Sequence, residues 1–237
     1  MLRAYKYRLY PNSEQKEYFA KTFGCSRLIY NLMLADRIKS YEENKDLDIK
    51  KIKYPTPAQY KKKYEFLKEV DSLALANEQI NLDKAYKNFF RDKSVGFPKF
   101  KSKKTNYHSY TTNNQKGTVY IKNGYIKLPK LKSMVRIKQH RQIEGTIKSC
   151  TISKTPSNRY YISILAETEI EKLEPIEKKI GIDVGLKEFA ICSDGFRVDN
   201  PKYFRKSEKR LAKLQKDLSR KQKGSNKKGR VRNKRDM

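Results

Sequence analysis

The stretch KKIGIDVGLKEFAICSDGFRV, residues 178–198, places one carboxylate where chemistry is possible. The apolar run Ile180, Ile182 and Val184 predicts a strand, with Asp183 at its end and Gly185 two residues on. An aspartate there projects from the end of a sheet, and the glycine lets backbone or ligand come close. Such a carboxylate suits a divalent cation. It could serve a metal-activated water in phosphodiester hydrolysis or a magnesium-bound nucleotide. A buried, capped aspartate with no chemistry is the third reading. FAICSDGFRV follows as a hairpin turning at Asp194-Gly195.

The remaining chemistry-bearing residues narrow the choice. Cys25, Cys150 and Cys192 are odd in number and lack C-x-x-C spacing, which argues against a disulfide framework and a zinc site. His108 and His140 are too few and too far apart for a histidine metal site. Among 237 residues, 56 Lys and Arg face 26 Asp and Glu, a net charge of +30. A polyanion relieves that self-repulsion, so nucleic acid is the leading partner. The 17 Tyr and 10 Phe often neighbour Lys or Arg, as base stacking and phosphate contact require. No apolar run approaches the roughly 18 residues of a membrane span. MLRAYKYRLY lacks a signal peptide's apolar core, so no membrane partner and a cytoplasmic location are expected.

The elements that must position these residues can be read in order. LRAYKYRL (2–9) predicts a strand whose more apolar face is Tyr5, Tyr7 and Leu9, with Arg3 as the exception. Asn12 and Gln15 have capping-box spacing for a helix start. Gly24 is expected to break that helix, with a second helix over 26–43, the outline of a weak helix-turn-helix. Residues 44–64, lysine-rich and holding Pro55 and Pro57, read as a mobile connection. A stronger helix carries Leu82, Ala85, Tyr86, Phe89 and Phe90 on one face and stops before Gly96. Two hairpins follow, one around Asn123-Gly124 and one around Pro156-Ser157-Asn158. They suggest a small antiparallel barrel over 97–170 that the first strand can join. Residues 169–179 read as a linker. A basic amphipathic helix with Leu211, Leu214 and Leu218 is predicted over 202–223. From Pro201 to Met237, 16 Lys and Arg face 3 acids, a net of +13, suited to a solvated tail or a phosphate-tracking element.

Seven segments occur in one order along nearly the whole chain: YKYRLYPN, FGCSRLIYNLML, GFPKFKSKK, IKLPKLKSMVRIKQHR, IKSCTIS with RYYISI, GIDVGLKEFAICSDG, and PKYFRKSEKRLAKLQKDLSRKQKGS. In these the chain resembles the TnpB/OrfB proteins of bacterial insertion sequences, relatives of the type V CRISPR effectors. The resemblance implies an α+β protein. A wedge-type antiparallel β-barrel (1–10 and 94–172) would carry a helical, helix-turn-helix-like recognition insertion (11–93). The start of an RNase H-like (RuvC) domain with a basic helix (176–237) would follow. It implies an RNA-guided DNA endonuclease that uses Mg²⁺, with a transposon-derived guide RNA and DNA as partners, and a transposase of the same element as a further one. Asp183 falls on the family's first RuvC aspartate, hence a catalytic and metal-ligating position. Basic residues inside the matching segments are the nucleic-acid candidates: Arg27, Lys99, Lys101, Lys103, Lys104, Arg136, Lys138, Arg141, Lys221 and Lys223. The actin-like ATPase alternative for the D-x-G lacks a second Gly-rich phosphate loop.

The chain also departs from the pattern. Family members supply a later glutamate, a zinc-binding cysteine group and a final aspartate, whereas this sequence stops soon after Gly224-Ser225. Of the acids after Asp183, Asp194, Asp199, Glu208 and Asp217 are spaced for solvent rather than convergence, Asp236 lies in the tail, and Glu188 stands next to the strand. Paired ions need several carboxylates, so one aspartate does not suffice. Three readings stay open. The chain could be a C-terminally truncated nuclease that binds RNA and DNA with an incomplete catalytic site and without the family's zinc site. It could be a non-cleaving, repressor-like binder, or half of a nuclease that a separate chain completes.

Overall fold

A computed structural model describes residues 1–44, 54–105, 108–169, 174, 176–177, 179–222, 224–225 and 231. The chain divides into two compact units, Met1–Ile170 and Glu171–Met237.

The first unit begins with strand β1 (Leu2–Tyr10) and helices α1 (Ser13–Glu43), α2 (Pro57–Lys63) and α3 (Ser72–Arg91). Six strands follow: β2 (His108–Asn113), β3 (Tyr120–Lys122), β4 (Tyr125–Lys127), β5 (Val135–Lys138), β6 (Thr146–Lys154) and β7 (Tyr160–Glu167). They form one antiparallel sheet in the order β2-β6-β7-β1-β5-β4-β3, so the N-terminal strand lies at its centre and the three helices stand between β1 and β2 in sequence. The sheet curls around one core. Tyr110 of β2 and Ile126 of β4, from opposite ends of the strand order, share it with Tyr5, Tyr7 and Leu9 of β1 and with Phe19 and Phe23 of α1. Arg3, on the same face of β1, escapes outward to Glu144 at 2.7 Å.

The turn signals act locally, as read. Asn123 (φ 53°) and Gly124 (φ 75°) both take the left-handed conformations of a two-residue hairpin between β3 and β4. Asn158 (φ 63°) turns β6 into β7. At the start of α1 the Asn12 side chain accepts from Gln15 N at 2.9 Å, while Gln15 Oε1 accepts from Asn12 N at 3.0 Å.

The helical reading needs two corrections. Gly24 does not break a helix, because α1 runs 31 residues through it. The reason is tertiary. Phe19 and Phe23 enter the sheet core, whereas Cys25, Ile29, Tyr30, Met33 and Leu34 enter a second core with Leu67, Leu75 and Leu82. Full burial of each large apolar side chain contributes about 1.5–3 kcal/mol, against about 1 kcal/mol for one interior glycine. Residues 54–64 of the connection are also more ordered than expected. Pro57 sits in the first turn of α2, where its missing N–H costs nothing, and Thr56 caps it with Gln59. Residues 45–53 of that stretch, and much of the expected linker over 169–179, lie outside the described residues.

The second unit holds β8 (Ile182–Asp183), β9 (Glu188–Cys192) and β10 (Arg197–Asp199), in the order β10-β9-β8, and helix α4 (Tyr203–Ser219). The predicted turn is present: Gly195 has φ 87° and Phe196 N donates to Asp194 Oδ1 at 3.0 Å. None of the described residues in this unit is buried. Ile182, Val184, Phe189, Phe196 and Phe204 are all exposed, and Leu186 is 91% exposed.

Candidate nucleic-acid interface and the Asp183 position

In the first unit, one patch gathers cations around a histidine. Arg27, on α1, reaches His108 on β2, with Nη1 3.2 Å from Nδ1. A guanidinium can only donate, so that ring nitrogen is the acceptor of a neutral imidazole. The sheet register places Lys154 of β6 directly opposite His108. Burial, then Arg27, Lys154 and Lys103, hold the His108 pKa below its ordinary value. Burial likewise lowers that of Arg27. No carboxylate contributes to either shift. The cations Arg27, Lys154 and Lys103 gathered around one neutral ring suit an anion.

The other sequence candidates separate by what already occupies them. Lys99, Lys103 and Lys104 are exposed, and among the described residues no ion pair involves them. Lys101, in the same segment, points inward. Its Nζ lies 2.5 Å from Glu78 Oε2 and 4.2 Å from the centre of the Tyr30 ring, and Asn31 clamps its backbone through both amide positions. Arg141 also braces the fold. Its Nη2 donates to Ala4 O at 3.2 Å, its guanidinium lies 4.8 Å from the Tyr5 ring centre, and its carbonyl accepts from Tyr7 Oη at 2.9 Å. Arg136 and Lys138 alternate with buried Val135 and Ile137 and stand on the outer face of the sheet. Lys221, just past α4, is exposed, and Lys223 lies outside the described residues.

Sequence reading missed two members of this surface, His108 and Lys154, whose partnership depends on the β2–β6 register. It also passed over a usable signal: from Lys93 to Ile143 there are thirteen Lys and Arg and no acid.

In the second unit, Asp183 pairs with Ile191 across β8 and β9 and is exposed. It is not the buried, capped aspartate of the structural reading. Its place is set by Gly181 and Ser193. Gly181 N donates to Ser193 Oγ at 3.0 Å, and Ser193 N donates back to Gly181 O at 2.8 Å. Gly185 is tight, since an added Cβ would lie 3.2 Å from Glu188 O. Asp183 lines a shallow depression with Gly185, Lys187, Glu188, Ile191 and Arg197. Glu188 leans on Arg197 at 3.5 Å, and its buried Oε2 has no hydrogen-bond partner. Among the described residues no three His, Cys, Asp or Glu side chains group to hold a metal ion. Asp183 and a cation-paired Glu188 therefore do not fit a pair of Mg²⁺ ions, and no hydrolytic step follows from them. No helix among the described residues is long and apolar enough to cross a membrane.

Known proteins match this chain along most of its length. A family model described as "Helix-turn-helix domain" matches residues 1–46, and one described as "Probable transposase" matches residues 161–236. A "Putative RNA-guided DNA endonuclease" of Streptomyces pristinaespiralis is 33% identical over 217 residues, 89% of this chain and 53% of that protein. The "Putative RNA-guided DNA endonuclease InsQ" of Escherichia coli K12 is 33% identical over 220 residues, 90% of this chain and 52% of that one. "Virulence protein VsdF" of Salmonella dublin is 39% identical over 113 residues, 44% of this chain and 95% of its own. The chain thus spans about half the length of the two endonuclease relatives. Two solved structures are similar. One is a "CRISPR-Cas12f Ternary Complex" (TM-score 0.45, 13% identity, 92% of this chain and 55% of that one). The other is a "Cas12f1-sgRNA-target DNA complex" (TM-score 0.38, 11% identity, 93% and 62%).

Proposed function

The chain belongs to the TnpB/OrfB family of insertion-sequence-encoded, transposase-associated proteins, and on that premise we propose that these 237 residues hold a guide RNA and its DNA target without cutting. The observation that carries this is the acid-free run Lys93–Ile143, whose exposed Lys99, Lys103, Lys104, Arg136 and Lys138 form no ion pair among the described residues. Phosphates neutralise such a surface, and the ions they release make binding steeply salt-dependent. In this reading the curled sheet is the wedge, α1–α3 are the recognition insertion over 11–93, and the second unit is the start of a RuvC-like domain. Base pairing reads sequence while the protein reads duplex shape and backbone. Arg27 with Lys103 and Lys154, and Lys221 past α4, serve as phosphate contacts. Lys101 and Arg141 act through the fold. A transposase of the same element, working in the same cytoplasm, is a further partner.

Asp183 is assigned as one carboxylate of a Mg²⁺ site whose other ligands these residues do not provide. The isolated position of Asp183 favours a second reading as well, a repressor-like binder that never cuts.

The test combines binding and cleavage. The purified chain is expected to retain RNA on filters with affinity falling steeply as salt rises, and to leave target DNA intact with Mg²⁺. A flat salt response would refute the nucleic-acid reading, and Mg²⁺-dependent cutting by this chain would refute the incomplete site. In a longer protein that carries the rest of the family's length, Asp183→Ala should abolish cutting and spare binding. If such a protein never cuts, the repressor reading stands instead.

A further inference from the structure

The sheet of the first unit has an outer face whose exposed rings the phosphate contacts do not explain. Inward residues of β1, β5, β4 and β3 build the core, so their alternates face solvent: Arg8 and Tyr10, Arg136 and Lys138, Tyr125 and Lys127, Tyr120 and Lys122. The register makes rows of them. Tyr10 lies opposite Arg136, Arg136 opposite Tyr125, and Tyr125 opposite Lys122, one residue per strand across four strands. Adjacent rows pair Arg8 with Lys138 and Tyr120 with Lys127. At about 4.8 Å between strands, the long row spans about 14 Å.

Composition and geometry both restrict what can cover it. None of the four strands contains an acid, and among the described residues Arg8, Lys122, Arg136 and Lys138 form no ion pair. The rings are large and exposed: Tyr10 at 42%, Tyr120 and Tyr125 at 45% each. Arg8 and Arg136 both lie over Tyr10, 5.1 and 5.8 Å from the ring centre. Among the described residues no ring or cation is stacked on Tyr120 or Tyr125. A hydrophobic partner protein would leave the arginines and lysines desolvated and unpaired. A continuous duplex would present its phosphates but no exposed base face to the rings. Unpaired nucleotides offer both a flat π-face and a phosphate at each step, and guanidinium planes stack on bases as aromatic rings do.

We propose that this outer face is a stacking platform for a single-stranded segment of nucleic acid, with Tyr125 and Tyr120 bearing bases and Arg136, Arg8 and Lys138 bearing the intervening phosphates. It rests on the nucleic-acid reading above and adds which form of nucleic acid this face takes. Tyr10, already beneath two guanidiniums, holds Arg136 and Arg8 in place for those phosphates.

The test uses the full chain and fluorescent oligo-U and oligo-dT of about twelve nucleotides, within the usual span of single-strand sites, with a duplex of equal length. Tyr125→Ala and Tyr120→Ala are each expected to weaken single-strand binding about fivefold or more, with the duplex affinity and the salt slope unchanged. Tyr125→Phe should bind as the parent does, because it keeps the ring. Lys138→Ala should instead lower the single-strand salt slope by about 0.7. The stronger parent affinity, for oligo-U or oligo-dT, identifies the strand as RNA or DNA. Unaltered binding by Tyr125→Ala, equal loss on the duplex, or loss in Tyr125→Phe would each overturn the platform while the nucleic-acid reading survives. A parent chain with a flat salt response would remove both.

Discussion

Lys99, Lys101 and Lys104 sit in one segment, GFPKFKSKK, and their types alone give them one role. Their surroundings give them two. The Glu78 carboxylate that Lys101 meets is 2% exposed, so removing the ammonium leaves a buried charge without its partner. Breaking a fully buried pair costs about 3–5 kcal/mol; the Lys101 side chain is 37% exposed, which screens the pair and brings the figure nearer to about 2 kcal/mol. Lys101→Ala should therefore lower Tm by about 4–8 °C. Lys99→Ala and Lys104→Ala should leave Tm almost unchanged and each reduce the salt slope of RNA binding by roughly 0.7–0.9. Thermal melts beside salt-titrated binding separate the two behaviours. A Lys101→Ala protein that melts like the parent would return Lys101 to the phosphate contacts.

Helix α1 is the element on which local and tertiary signals disagree. Gly24 stands between Phe23, which belongs to the sheet core, and Cys25, which belongs to the helical core, so one continuous helix ties the two together. An added Cβ at Gly24 meets nothing within 4 Å and the residue has no positive φ. Gly24→Ala should stabilise the protein by about 0.5–1 kcal/mol, a rise of a few degrees in Tm, where a turn glycine would instead lower it. The capping box at Asn12 and Gln15 and the Asn123-Gly124 turn were readable because each is complete within a few residues. The path through Gly24 was not, because what keeps it helical is burial against strands and helices far along the chain. The candidate site divides in the same way. Arg136 and Lys138 were readable as basic residues of a matching segment, whereas β5, whose alternation turns both outward, was not predicted. The rows that join Tyr10, Arg136 and Tyr125, or His108 and Lys154, exist only once distant strands pair.

The two units differ in what holds them together. The first buries tyrosines, isoleucines and leucines in two cores joined by α1, and ties α3 to β2 through Asp71, which caps Leu73 N at 3.1 Å and accepts from Thr112 Oγ1. The second has strands of two, five and three residues and no buried residue among those described. Apolar burial stabilises at about 25 cal/mol per Å², and three short strands without a packed face fall below what independent stability needs. Local opening of β8–β10 should therefore cost almost nothing, while β1, β6 and β7 open only with global unfolding. Hydrogen exchange should find the amides of Ile182, Phe189 and Ile191 unprotected and those of Tyr7, Ile152 and Ile162 the slowest in the chain. Limited proteolysis should yield a fragment near residues 1–170 that still binds RNA. Equal protection in the two units would refute this account of the second. Polypeptide that packs over Val184, Leu186 and Phe189 should slow exchange there first.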